Sequence, residues 1–193
     1  MKLKERSVLT VLRQQPQKVD GDFYCSNNQL TSLEGCPQEV GGHFSCSGNE
    51  LTGLVGCPQK VGGDFWCSGN ELTGLVGCPQ KVGGTFYCHS NQLTTLKGGP
   101  QEVDGNFYCS FNELTNLKDI HKQIKFIGGQ ANFLGNPIKS HVVGLLLING
   151  LKHVYLDNEE VMNILNKHVK ADRDVLACIE ELENAGFPEF AKI

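Results

Sequence analysis

Cys25, Cys46, Cys67, Cys88 and Cys109 follow one another at intervals of 21 residues, and nearly everything around them recurs at the same interval. The clearest unit, Pro58 to Cys78, generalises to P-Q-x-V-x-G-x-F-x-C-x-x-N-x-L-T-x-L. Five units match, beginning at Pro16, Pro37, Pro58, Pro79 and Pro100. A sixth, from about His121, is degraded; Ile124, Ile127, Asn132 and Leu134 take its apolar and Asn positions if one residue is deleted. A period of this length is the mark of an array in which each unit leans on its neighbours.

Phe and Cys lie two apart in every unit, the spacing that puts both side chains on one face of a strand. A single short strand between glycines cannot bury that face alone, so the units must stack as a parallel solenoid. The expected buried ladders are Val19/40/61/82/103, Phe23/44/65/86/107, Cys25/46/67/88/109, Leu30/51/72/93/114 and Leu33/54/75/96/117. Asn28, Asn49, Asn70, Asn91 and Asn112 fall just past each strand, where a side-chain amide can satisfy backbone groups of its own rung and the next. Gly21, Gly42, Gly63, Gly84 and Gly105 precede the strands, as a positive φ or a close backbone approach would require.

Phe65, Cys67, Asn70 and Leu72 fill the L-x-L-x-x-N-x-L core of the leucine-rich-repeat family, which these units resemble over residues 16 to 134. The following Leu72, Thr73, Leu75 and Pro79 look most like the short repeats of bacterial effector proteins. One departure is V-x-x-x-F in place of the family's L-x-x-L spacing. The resemblance implies an α+β repeat solenoid with a leucine-rich-repeat parallel β-sheet array.

Both ends of such a stack need covering. Residues 3–14 have a helical spacing of Val8, Val11 and Leu12 and end before Pro16, so 1–15 reads as an N-terminal cap, 16–136 as the repeats and 137–193 as a mainly helical C-terminal unit. In that unit we expect a helix over Ile138 to Leu147 and a last strand around Leu151, Val154 and Leu156. A helix should open at an Asp157/Glu160 capping box and bury Val161, Ile164, Leu165 and Val169. A final helix, about Asp172 to Ala185, should turn Val175, Ile179 and Leu182 inward and stop at Gly186. The stretches G-L-K-x-V-x-L-D-N and E-E-L-x-x-A-G-F-x-E-F-A-K resemble the C-terminal unit of repeat proteins encoded by bacteriophages. That resemblance implies a bacterial host cell and a viral accessory factor that blocks a host defence protein.

A net charge of -4 with 20% charged residues supplies no basic footprint, so no nucleic-acid partner is expected. Lys2, Lys4, Glu5 and Arg6 precede only a brief apolar stretch, unlike a signal peptide, and Val142 to Ile148 is too short to span a bilayer. The expectation is a soluble cytoplasmic protein without membrane contact. The nine cysteines read as core rather than zinc ligands: the column Cys36, Cys57 and Cys78 continues as Gly99 and Ile120, and paired C-x-x-C spacing is absent. No metal or cofactor is expected. Nor is catalysis, since Cys88 and His89 are adjacent on a strand and point to opposite faces.

If Phe and Cys point inward, their neighbours form outward columns on the concave sheet. The centre is Tyr24, Ser45, Trp66, Tyr87 and Tyr108; one flank is Asp22, His43, Asp64, Thr85 and Asn106, the other Ser26, Ser47, Ser68, His89 and Ser110, with Phe111 beside it. Five rungs at about 4.8 Å span about 20 Å. Tyr and Trp anchor interfaces by burying area while keeping a polar tip. Asp22, Tyr24, His43, Asp64, Trp66, Tyr87, His89, Tyr108 and Phe111 are therefore the candidate contacts to a protein partner, with the aromatics as anchors and Asp22, Asp64, His43 and His89 setting specificity. Two other readings compete: the rings merely brace adjacent strands, or the face holds a nucleotide-like small molecule by stacking.

Overall fold

The structure, a computed structural model, describes Leu12 and residues 14–193. The helix expected over 3–14 falls almost wholly outside the described residues. From residue 18 onward the chain winds as a parallel β-solenoid of about seven turns, followed by helices. Each of the first six turns carries two short strands rather than the one expected, and the seventh carries one. The first set is β1 (Lys18–Val19), β3 (Glu39–Val40), β5 (Lys60–Val61), β7 (Lys81–Val82), β9 (Glu102–Val103) and β11 (Phe126–Ile127), paired in that order into a valine sheet. The second is β2 (Phe23–Tyr24), β4 (Phe44–Ser45), β6 (Phe65–Trp66), β8 (Phe86–Tyr87), β10 (Phe107–Tyr108), β12 (Gln130–Asn132) and β13 (His153–Tyr155), which form a phenylalanine sheet. The V-x-x-x-F spacing is explained by this corner: the valine ends one strand, three residues turn, and the phenylalanine opens the next.

Register is kept residue for residue, Phe23 on Phe44 on Phe65 on Phe86 on Phe107, and Val40 on Val61 on Val82 on Val103. The phenylalanines stack with centroids 5.1 to 6.1 Å apart and no solvent exposure. The expected Val, Phe, Cys and Leu ladders are all buried, save the half-exposed Val19 of the first turn. Identical apolar groups thus meet their own kind at every rung, which is how a unit too small for a core acquires one.

All nine cysteines are free and buried. Cys25, Cys46 and Cys67 donate their S–H to the carbonyls of Ser45, Trp66 and Tyr87 on the next turn. Cys57 and Cys78 do the same toward Gly77 and Gly98. Burial pushes the Cys78 thiol up to about 12 and the Cys178 thiol up to about 11.

The asparagines bond backward, not forward. Asn70 Nδ2 donates to Cys67 O of its own rung and Cys46 O of the preceding one, and its Oδ1 accepts from Leu51 N of that rung. Asn49, Asn91 and Asn112 repeat the pattern. In the sixth turn the ladder position is filled by Asn136, bonded to Phe133 O, Cys109 O and Leu114 N, and not by Asn132. The register Phe107 to Ala131 and Val103 to Ile127 shows three residues added to this turn, not one removed. They are accommodated by a short helix α1, Ile120–Gln123. Ala131 and Phe133 then occupy the Phe and Cys positions, both fully buried, so a small residue beside a large one preserves the volume.

The C-terminal unit contributes a seventh rung and a lid. Of the helix expected from Ile138, only a 3-10 segment, Val143–Leu147, forms; with His141 at φ 59 the chain bends too sharply before it for a longer helix. The last strand is where the alternation put it, with Leu151, Val154 and Leu156 buried. Helix α2, Glu159–Lys170, is capped by Asn158, whose side chain accepts from Val161 N. Asp157 is not the cap, because its carboxylate instead takes Gly135 N of the sixth turn at 3.0 and 3.1 Å. Val161, Ile164, Leu165 and Val169 face inward as expected. Helix α3, Val175–Asn184, begins later than expected because Asp174 caps it, and ends at Gly186 with φ 87. Leu182 is buried, while Val175 and Ile179 are only partly so.

Two polar side chains finish the open sheet edges. Asn166, 5% exposed on α2, accepts Val154 N and donates to Val154 O, both at 2.7 Å, standing where an eighth strand would pair. Arg173 donates to the carbonyls of Leu146, Ile148 and Leu151 just outside the last turn of the valine sheet. Both satisfy backbone groups that an uncovered end would leave unpaired.

Candidate functional site

The outer faces of the two sheets differ in chemistry. On the valine sheet the outward column is Lys18, Glu39, Lys60, Lys81, Glu102 and Phe126, opposite charges alternating across most of the charged rungs: Lys60 meets Glu39 at 2.6 Å and Lys81 meets Glu102 at 3.0 Å. This face is exposed and charge-paired, the ordinary condition of a solvated surface. On the phenylalanine sheet the outward columns carry no Lys or Arg, and their centre is aromatic.

That central column brings together four of the candidate residues in one stacked series. Tyr24 and Trp66 have centroids 6.3 Å apart at 27°, Trp66 and Tyr87 5.7 Å at 27°, and Tyr87 and Tyr108 5.3 Å at 47°. Tyr24 and Trp66 are two rungs apart and close over Ser45, which is left only 6% exposed with its hydroxyl 2.6 Å from that of Ser26. The small serine therefore makes room for the indole. His43 adds a ring 5.1 Å from Trp66, and Tyr87 meets the edge of His89 at 6.4 Å. Partial burial raises the Tyr24 phenol above its usual range, helped by the Asp22 carboxylate that its hydroxyl contacts at 3.0 Å; burial and then the Asp64 charge do the same for Tyr87.

The flank column does structural work as well. Asp22 Oδ1 accepts His43 N, His43 Nδ1 accepts Asp64 N, Asp64 Oδ1 accepts Thr85 N, Thr85 Oγ1 accepts Asn106 N, and Asn106 Oδ1 accepts Gln130 N, at 2.7 to 3.2 Å. Each side chain thus receives a backbone donor from the next turn. The recurring glycine is the other half of this device: a Cβ on Gly42, Gly63, Gly84, Gly105 or Gly129 would lie 2.2 to 2.7 Å from the acceptor that arrives there. None of these five has a positive φ, so close approach is the reason for glycine. Gly21, in the first turn, has nothing within 4 Å.

An electrostatic consequence follows. Accepting the His43 N–H holds the Asp22 carboxyl below its usual value, with Tyr24 assisting. His43 Nδ1 is engaged by the backbone N–H of Asp64 at 2.9 Å. The same nitrogen lies 3.5 Å from Asp64 Oδ2. The His89 ring, by contrast, bonds Ser90 Oγ at 3.1 Å, and burial lowers its pKa.

Phe111 has a positive φ of 54 and is 65% exposed. It borders an open groove of about 580 Å³ with Tyr87, His89, Tyr108, Ser110, Gln130, Asn132 and Tyr155. The last three were missed from sequence. Register places Asn132 and Tyr155 in the central column after Tyr108, and Gln130 and His153 in the flank column. Continuing the outward alternation from Leu151, Val154 and Leu156 would have named Tyr155 and His153; Asn132 and Gln130 were hidden by the three added residues.

Among the described residues no group of His, Cys, Asp and Glu is arranged to hold a metal, and no helix is long and apolar enough to cross a membrane. Cys88 is fully buried while His89 lies on the outer face, so the two are not a nucleophile and base pair. Set against protein-family models, curated proteins and solved structures, the chain finds no match.

Proposed function

We propose that this chain is a non-enzymatic binding module that captures a protein partner on the outer face of the phenylalanine sheet. The observation that carries this reading is the aromatic column Tyr24, Trp66, Tyr87 and Tyr108, uninterrupted by a cation, while the outer face of the valine sheet around the corner is charge-paired. Strand bracing alone accounts for ring stacking, but not for the concentration of rings on one of two equivalent sheets. A flat rigid array of rings buries area at low entropic cost, which is what an interface centre needs. The resemblance of the C-terminal elements to phage-encoded repeat proteins directs the search for the partner to bacterial host and defence proteins.

The test is capture from bacterial lysate with tagged wild type, a Trp66→Ala/Tyr87→Ala double variant and a Glu39→Ala/Lys60→Ala control on the valine sheet. The aromatic variant should keep its far-ultraviolet dichroism and lose the specific partner, and the control should keep both. Capture unchanged in the aromatic variant would reject the proposal. A nucleotide-like ligand is the second reading, favoured by the groove beside Phe111; the absence of Lys and Arg from the outward columns weighs against a phosphate. Heat stabilisation by a nucleotide panel separates the two.

A further inference from the structure

The stacked series of rings stops at Tyr108. The next rung offers Asn132 and the one after it Tyr155, so two tyrosines stand two rungs apart with an amide between them. The same two-rung interval at Ser45 is closed, because Tyr24 and Trp66 lean together to 6.3 Å. At Asn132 it is open: Tyr155 turns its ring onto His153 at 4.6 Å, and among the described residues no ring contact joins it to Tyr108. The interval is the groove of about 580 Å³.

Two rungs separate the strands by about 10 Å, enough for a planar group to lie between the two tyrosines. We propose that this gap is a slot for the guanidinium of an arginine side chain on the protein partner; the proposal rests on the reading that the partner binds this face. A guanidinium is flat, stacks on aromatic rings and presents a fork of donors. The slot answers each property. Tyr108, Tyr155 and Phe111 supply ring surface, and Gln130 and Asn132 supply amide oxygens. Asn132 Oδ1 already accepts Leu134 N at 2.9 Å but retains a second lone pair.

Charge points the same way. No Lys or Arg occupies the outward columns, while Asp157 lies near one wall, its carboxylate on the N–H of Gly135, where a Cβ would lie 2.6 Å from the Phe111 ring. Burial disfavours the charged form of His89, so that wall does not repel a cation. A lysine would gain the charge but not the stacking, and a nucleotide the stacking but not the charge.

The experiment is an amide-proton NMR titration of the full chain with N-acetyl-arginine methylamide, its lysine counterpart and AMP as probes. The arginine probe should shift Asn132, Phe111 and Tyr155 saturably and bind about fivefold tighter than the lysine probe, with AMP silent. Asn132→Phe fills the gap and should weaken the arginine probe at least tenfold, as should Tyr155→Ala, which removes one wall without adding bulk. Glu39→Ala/Lys60→Ala, on the valine sheet, should leave it unchanged. Equal response to arginine and lysine, binding of AMP in their place, or arginine binding undiminished in both variants would each overturn the slot. If the arginine probe fails on wild type while the Trp66→Ala/Tyr87→Ala variant still loses its partner, the slot falls and the binding face stands. Arginine binding together with capture unaffected by that double variant overturns the face and leaves the slot.

Discussion

At the scale of single residues, the molecule is governed by what one turn does to the next. Gly84→Ala would set a Cβ 2.3 Å from Asp64 Oδ1 and push it off Thr85 N; a loss of about 2 kcal/mol is expected from overpacking and a weakened hydrogen bond. Gly21→Ala meets nothing within 4 Å and should be nearly neutral. Urea unfolding of both checks the pair, and equal effects of the two substitutions would show that contact with the previous turn does not set the glycine. The thiols give a pH prediction. Burial raises Cys46, Cys67, Cys78 and Cys88 above the usual value of 9.0, so folded and unfolded chains bind the same protons below that pH. Above it the unfolded chain loses protons that the folded chain keeps, and stability falls by about 1.4 kcal/mol per pH unit for each such thiol. Unfolding midpoints from pH 7 to 10.5 should be level and then decline. Sequence spacing made these ladders legible, since period two and period 21 together fix which atoms face inward. It could not distinguish close approach from positive φ at the glycines, because both demand the missing Cβ.

At the scale of elements, the sequence showed where strands begin but not how many each turn holds. Val followed four residues later by Phe is silent about the corner between them, and strands of two residues are too short for an alternation to reveal. The sixth turn was misjudged for a related reason: without its Phe and Cys, nothing in the sequence separates an inserted helix from a deletion, and only pairing with β10 decides. Of the candidate site, the aromatic column was readable through Tyr108 and lost beyond it. The C-terminal lid yields a prediction. Asn166→Leu removes both hydrogen bonds to Val154 and leaves the last strand's edge unpaired beneath α2. A loss of about 2 to 4 kcal/mol is expected, with concentration-dependent end-to-end association visible in sedimentation. A variant as stable as wild type would mean that water replaces the amide without cost.

At the scale of the whole molecule, the backbone of each turn pairs only with its neighbours, and apart from the Tyr24–Trp66 ring contact over Ser45 stability is close to a sum over adjacent turns. Deleting residues 58–78 joins Cys57 to Pro79, the same junction that Cys57 makes with Pro58. The shortened chain should fold with one rung fewer, keep its dichroism signature and melt at a lower temperature. Complete unfolding would show that the stack is not divisible in this way. The near-identity of units that permits such surgery also creates an ambiguity of phase. A chain that docked one unit late would still match Phe to Phe, Cys to Cys and Asn to Asn across most of its length. The enlarged sixth turn, whose added helix fits between Leu117 and Ile124 and nowhere else, breaks that degeneracy. It serves as an index mark, penalising a miscounted assembly that the regular units alone would accept.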